Sequence, residues 1–260
     1  MQWILTYLPN FLLIFCRITS FFVVAPIFSF RGVPVQFKIG LSFFVTLLVF
    51  SAVGMEEPAA FDYTYLLSVI REVLVGLVLG FTAYLFFTAV QVSGSFVDLQ
   101  MGFGIANVVD PLTGTQSPVI GNFKFIIAIL LFLAVNGHHY LLHGLMDSYR
   151  WVPISNELFA RIYRGDVSNF LLDSFIQMFY LAFQLAAPLI VSLFLADVAL
   201  GILARTAPQF NIFVVGLPFK IMLGFVVILV MIPGFLFLFQ HLFQTLFESM
   251  RQLVLILQSA

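Results

Sequence analysis

Residues 66–97 form an apolar run that reads LLSVIREVLVGLVLGFTAYLFFTAVQVSGSFV. A transmembrane helix needs about 20 predominantly apolar residues to cross a hydrocarbon core of about 30 Å. The run exceeds that length, whereas the strands of a membrane β-barrel are short and alternate between polar and apolar residues. We therefore predict that this segment is a membrane helix and that the fold is all-α.

Five further apolar runs lie on either side of this segment. They occupy approximately residues 4–24, 39–53, 119–135, 170–203 and 212–257. Prolines and polar loops separate them, as expected where one helix ends and the next begins. We therefore predict a polytopic membrane protein of about six long apolar helices arranged as helical hairpins, in a single membrane domain over residues 1–260.

The composition excludes several classes of protein. The chain has 260 residues, of which 62% are hydrophobic and 9% are charged, whereas a soluble domain keeps about a quarter of its residues charged. Disorder is excluded because it requires low hydrophobicity. The net charge of −1 gives no reason to expect nucleic acid as a partner. Cys16 is the one cysteine, so the chain forms no intrachain disulfide and no cysteine-based metal site.

Several ionisable side chains fall within or beside the apolar runs, where a charge is costly against lipid. One interpretation is a pathway for protons or ions, and the other is structural pairing within or between subunits. We favour pairing, and we predict that five of these charges hold contacts with other subunits. They are Arg17, Asp98, Asp197, Arg205 and Lys220.

The loop charges do not follow the alternation that orients ordinary membrane spans. Arg31 and Lys38 follow the first run, and Arg205 and Lys220 follow the fifth. Residues 150–164 nevertheless carry three arginines on what alternation makes the opposite side. Our hypothesis is that the helices pack mainly against other subunits, at depths and tilts that six regular spans do not describe.

A segment rich in glycine and proline separates the third and fourth runs. Residues 98–122 read DLQMGFGIANVVDPLTGTQSPVIGN and stay apolar around Phe103 and Val108. Irregular backbone at membrane depth survives only where it is buried in protein or lines a watery cavity. We predict a pore or gate loop rather than an ordinary surface connection. Its residues are Met101, Gly102, Phe103, Gly104, Ile105, Ala106, Asn107, Val108, Val109, Asp110, Pro111, Gly114 and Pro118.

The histidines offer a weak alternative. His139 and His143 are four positions apart, which is a spacing used by helical zinc ligands. No glutamate stands between them as in the H-E-x-x-H motif, so histidines that anchor a helix end are the better interpretation. The sequence also lacks a nucleotide-binding glycine motif, a Walker lysine and paired catalytic carboxylates. We predict no enzyme, no metal and no cofactor.

Several strings of the sequence together resemble the FliR family of export-gate proteins. They are GSFVDLQMGF at 94–103 with Asp110 and Pro111, NGHH at 136–139, LADVALG at 195–201, RTAPQFNIF at 205–213 and GLPFK at 216–220. The N-terminal residues Arg17, Ala25, Pro26, Pro34 and Lys38 fit as well. The similarity runs in order along nearly the whole chain.

This resemblance implies a subunit of the flagellar type III export apparatus, in the bacterial inner membrane at the flagellar basal body. It implies assembly with FliP-type and FliQ-type subunits, joined by FlhB and FlhA, and a fold like a fused FliP-plus-FliQ pair of hairpins. The family's plug loop corresponds to residues 105–121. The cargo would be unfolded flagellar rod, hook and filament proteins. The main alternative is a secondary transporter of small molecules or ions; a membrane enzyme is a further one.

Overall fold

The computed structural model describes residues 2–30, 32–53, 63–104, 118–152, 158–207, 209 and 211–258. These residues contain nine α-helices and no strand, which confirms the predicted all-α fold. The helices are α1 (Gln2–Val24), α2 (Val35–Val53), α3 (Tyr63–Met101), α4 (Val119–Ala134), α5 (Gly137–Trp151), α6 (Leu158–Arg164), α7 (Asp166–Thr206), α8 (Ile212–Val230) and α9 (Ile232–Leu257).

Four helices in the described part of the chain are long and apolar enough to cross a membrane. They are Thr6–Val24, Val35–Ala52, Thr64–Met101 and Asp166–Thr206. The number rises to six if each of two bent helix pairs counts as one span: α4 with α5, bent by 71°, and α8 with α9, bent by 66°. The chain is therefore a polytopic membrane protein, as predicted.

The run at residues 212–257 is two helices rather than one. The break falls at Met231, just before Pro233 in the first turn of α9. Proline lacks a backbone N–H, so it cannot continue the hydrogen bonding of α8 but fits the first turn of a new helix. Pro188 does not interrupt α7, which continues through it.

Helix α5 was not among the predicted runs because only one of its faces is apolar. Leu141 and Leu145 are buried, whereas His143 and Arg150 are exposed. A search for continuous apolar runs passes over such a helix, because the residues of its polar face interrupt the run every few positions. The bend that separates α4 from α5 contains Asn136, which adopts the left-handed conformation with φ of 57°.

The described chain divides into two compact units. Unit 1 comprises residues 1–86, 135–175 and 244–260. Its helix α1 packs on α2. Helix α1 also lies so close to α3 that a Cβ atom at Gly76 would overlap Ser20 and the Arg17 carbonyl. Unit 2 comprises residues 87–134 and 176–243. The prediction of a single membrane domain stays a prediction.

An aromatic cluster holds the core of unit 2 together. The ring centroids of Phe87 on α3 and Phe132 on α4 are 5.2 Å apart, in an edge-to-face arrangement. Phe243 on α9 lies 5.0 Å from Phe132 and 6.0 Å from Phe87. Such pairs add to the stability that area burial alone provides, so these three rings tie α3, α4 and α9 to one another.

Many of the exposed side chains of α7 and α8 are large and apolar. Tyr180, Leu195, Met222 and Val230 are all more than half exposed in the isolated chain. So many exposed large apolar side chains are unfavourable in water and are covered in membrane proteins by lipid or by other subunits.

Candidate functional site

The candidate site is the pair of chain ends that border the predicted gate loop. Met101, Gly102, Phe103 and Gly104 are described on the α3 side, and Pro118 is described on the α4 side. The remaining predicted loop residues lie outside the described part of the chain: Ile105, Ala106, Asn107, Val108, Val109, Asp110, Pro111 and Gly114. We refer to residues 101–104 and 118–121 as the two feet of the loop.

The first foot begins where a Schellman motif ends α3. Gly102 has φ of +93°, a conformation that side chains rarely adopt. Its N–H donates to the Leu99 carbonyl at 3.3 Å, and the N–H of Phe103 donates to the Asp98 carbonyl at 2.9 Å. This pattern satisfies carbonyls that the end of a helix leaves free, so the helix ends at a defined residue.

Asp98 also holds the second foot. One carboxylate oxygen accepts a hydrogen bond from the Ile120 N–H at 3.0 Å, and the other accepts one from the Gly121 N–H at 3.4 Å. These amides belong to the first turn of α4, where N–H groups have no partner within the helix and where negative charge is favourable. Asp98 is 2% exposed. Asp98 thus binds the first foot through its backbone carbonyl and the second foot through its carboxylate.

The first foot packs against α8. Met101 is fully buried, and a Cβ atom at Gly224 would lie 2.5 Å from the Met101 Cε atom. A side chain at position 102 would overlap Leu217. Glycine at 224 therefore leaves the space that the methionine side chain fills, and glycine at 102 lets the chain turn beside α8.

A partly exposed ion pair lies next to the contact between the first foot and α8. Lys220 Nζ is 2.9 Å from Asp197 Oδ1 and 3.0 Å from Oδ2, so the ammonium contacts both carboxylate oxygens. Gln100 Nε2 donates to Asp197 Oδ2 at 2.9 Å. The side chain of Asp197 is 40% exposed and that of Lys220 is 17% exposed. The three residues connect α7, α8 and the last turn of α3.

Lys124 is a buried cation one turn beyond the second foot. Its Nζ atom donates to Ser93 Oγ at 3.0 Å and to the Leu185 carbonyl at 3.1 Å. It also lies 4.8 Å from the centre of the Phe235 ring. The ammonium group therefore exchanges its hydration for two oxygen acceptors and a ring face, which is what a buried charge requires.

A separate charge cluster lies in unit 1. Arg17 Nε donates to Glu72 Oε2 at 2.6 Å, and Nη2 donates to Glu72 Oε1 at 2.8 Å, which makes a bidentate pair. The guanidinium also donates to the Val152 carbonyl and to Ser148 Oγ, and it stacks over Tyr149. Both charged side chains are 0% exposed, so the cluster is a fixed junction of α1, α3 and α5.

These contacts give intrachain partners to four of the five charges that we predicted to contact other subunits. Arg17, Asp98, Asp197 and Lys220 all bind within the chain, and Arg205 is exposed. The predicted contacts with other subunits stay predictions.

The histidines belong to unit 1, at the start of α5. His139 and His143 are exposed, and the rings of His138 and His139 are in contact, with centroids 4.2 Å apart. Within the described residues, no group of three potential ligands could hold a metal ion.

Sequence reasoning missed several residues of the site. Lys124 could have been found as a lone charge inside the run at 119–135. Gln100, Leu217 and Gly224 carry no signal of their own, because their roles depend on which helices touch.

Comparisons with known proteins match almost the entire chain. The family model of bacterial export proteins, family 1, matches residues 8–246. The flagellar biosynthetic protein FliR of Bacillus subtilis is 44% identical over 254 residues, which are 98% of each chain. The FliR of Escherichia coli is 31% identical over 259 residues, or 97% of this chain and 95% of that protein. The Yop proteins translocation protein T of Yersinia pestis is 30% identical over 215 residues, or 82% of each.

Proposed function

The chain belongs to the bacterial export proteins, family 1, and we propose that it is a gate subunit of a flagellar type III export apparatus. Its relatives include flagellar biosynthetic proteins and a Yop translocation protein, so it is a component of such an apparatus and works with other export components. Its long apolar helices make it a membrane-embedded component.

The observation that carries the proposal is the double role of Asp98. Its backbone carbonyl binds Phe103 and its carboxylate binds Ile120 and Gly121, so the two feet are held together by one residue. A glycine-rich segment whose two ends are held at one point is suited to closing a conduit, because glycine permits several backbone conformations between fixed ends. We propose that residues 101–118 form that gate loop.

The outward faces of the helices support assembly with other membrane subunits. Many exposed side chains of α7 and α8 are large and apolar, and Arg205 is exposed near the end of α7. We propose that FliP-type and FliQ-type subunits cover these faces and that FlhB and FlhA complete the apparatus. In this proposal the chain resembles a fused FliP-plus-FliQ pair and lies in the inner membrane at the flagellar basal body.

The cargo in this proposal is unfolded flagellar rod, hook and filament protein. A chain that serves as a conduit wall needs no catalytic group of its own, so we propose that the protein is not an enzyme. The energy for export would then enter through other components of the apparatus.

Purification from the native host tests the assembly. An affinity tag on the chain, mild detergent and mass measurement should recover a large complex that contains FliP-type and FliQ-type subunits. A lone monomer that binds and exchanges a small molecule or ion would overturn the proposal in favour of a secondary transporter.

A further inference from the structure

Two of the ion pairs among the described residues differ greatly in burial. Arg17 and Glu72 are fully buried, and the guanidinium has further acceptors on α5. Asp197 and Lys220 are 40% and 17% exposed, with one further donor, Gln100. Removing one member of a fully buried pair leaves an unpaired charge out of water, whereas separating a partly exposed pair leaves less of each charge without solvent and costs less. The second pair is therefore the one suited to open and close.

The position of this pair connects it to the first foot of the gate loop. Leu217, Lys220 and Gly224 are spaced i, i+3 and i+7 along α8, so they share one helix face. Leu217 and Gly224 contact Gly102 and Met101 of the foot. Lys220, between them, binds Asp197 on α7. The face of α8 that contacts the first foot is therefore also the face that the Asp197–Lys220 ion pair joins to α7.

Gln100 makes the connection direct. It precedes Met101, and its amide donates to the same Asp197 oxygen that Lys220 contacts. Asp197 therefore binds both the last turn of α3, through Gln100, and the face of α8 that contacts the first foot, through Lys220. Pro218 lies within α8 beside these residues and removes one backbone hydrogen bond of that helix, which lowers the cost of bending it there.

We propose that Asp197, Lys220 and Gln100 form a latch, meaning a set of polar contacts that keeps the first foot of the gate loop packed against α8. Opening of the gate then requires these contacts to break. This inference rests on the proposed gate function and adds to it the residues that position the loop. Asp197 and Lys220 are positioning residues, since they act through Met101 and α8 rather than on the exported protein.

Ion conductance of the assembled gate tests the latch. The complex is purified through a tag on this chain and reconstituted in planar bilayers, with the variants Asp197→Asn and Lys220→Met. Each should raise the conductance of the resting gate about fivefold, which corresponds to a loss of about 1 kcal/mol in preference for the closed state.

A charge reversal separates the latch from a general loss of structure. Asp197→Lys combined with Lys220→Asp restores an attractive pair, and Gln100 can accept from lysine through its carbonyl oxygen. The double variant should return conductance to within about twofold of wild type, which corresponds to about 0.4 kcal/mol. Conductance as high as in the single variants would show that each charge has a different partner, and it would overturn the latch.

Two controls make the outcome decisive. Asp147→Asn removes the exposed pair with Arg150, far from the loop in sequence, and should leave conductance unchanged. A gate with residues 105–117 shortened reports on the proposed function itself. If the shortened gate leaks and the single latch variants assemble normally without leaking, the latch is wrong and the gate loop stands. If neither leaks, the gate function fails with it.

A milder variant covers the case in which Asp197→Asn fails to assemble. Gln100→Leu removes the donor at the foot and leaves the ion pair intact. It should raise conductance about twofold, which corresponds to about 0.4 kcal/mol. Wild-type conductance for this variant would contradict the connection between Asp197 and the foot.

Discussion

Gly94 on α3 and Gly121 on α4 meet backbone to backbone. A Cβ atom at Gly94 would overlap the Gly121 Cα atom and lie 2.5 Å from its nitrogen. The contact falls one turn of α3 before Asp98, whose carboxylate binds the same residue, Gly121. The close approach of the two helices and the hydrogen bonding of the second foot therefore depend on each other.

Substitution of Gly94 by alanine should separate α3 from α4. The obstacle is backbone rather than a flexible side chain, so we expect a destabilisation of about 1–3 kcal/mol. Gly201→Ala is the matched control, since a Cβ atom there meets nothing within 4 Å and alanine favours the helix. Thermal denaturation of both variants in detergent measures the difference. Equal stability of the two would show that the helices do not touch at this point.

Removal of one member of the buried pair in unit 1 should be strongly destabilising. Glu72→Gln leaves the Arg17 guanidinium without a countercharge at 0% exposure, which costs about 3–5 kcal/mol. Arg17→Met combined with Glu72→Leu removes both charges and should recover most of that loss. The exposed pair supplies the control, because Arg150→Gln should change the denaturation midpoint little. A double variant as unstable as Glu72→Gln would contradict this interpretation.

The second foot should loosen when Asp98 loses its carboxylate. Asp98→Ala removes both acceptors of the first turn of α4, and loss of a helix cap costs about 1 kcal/mol. Hydrogen exchange at the Ile120 and Gly121 amides should accelerate roughly fivefold. Asp173→Ala, at an exposed carboxylate on α7, should leave these rates unchanged. Unchanged rates in Asp98→Ala would remove Asp98 from its assigned role.

The charge of Lys124 should be dispensable for stability, whereas its volume should not be. Methionine is unbranched like lysine and only one heavy atom shorter, is favourable against the Phe235 ring and has no charge to desolvate. Lys124→Met should therefore stay within about 1 kcal/mol of wild type. Lys124→Ala leaves a cavity and should cost about 2–5 kcal/mol. Denaturation midpoints measure both, and a loss for methionine as large as that for alanine would show that the charge itself is required.

The sequence predicted the helices where a single property extended over many residues. Long apolar runs identified α1, α2, α3, α4 and α7. Helix α5 was missed because its two faces differ, and the break at Met231 was missed because one proline outweighed a long apolar run. Sequence reasoning therefore did not resolve features that depend on a few residues, such as a polar helix face or a single proline, within a stretch of otherwise apolar composition.

The site shows a different limit. That buried charges would be paired follows from the cost of desolvation, and it was predicted on that basis. Which residues pair does not follow, because Arg17 and Glu72 are 55 positions apart and Asp197 and Lys220 are 23 apart. Only the packing of the helices brings each pair together.

The central claim is that residues 101–118 close a conduit in the assembled apparatus. Its most direct test is the ion conductance of the purified gate after residues 105–117 are replaced by a short glycine linker, which leaves Gly104 and Pro118 in place. We predict at least about tenfold higher conductance than wild type, as expected if closure is favoured by roughly 1.4 kcal/mol or more. We also predict no change when residues 54–62 are shortened in the same way. Equal conductance of the wild-type and shortened gates, with assembly intact, would contradict the claim.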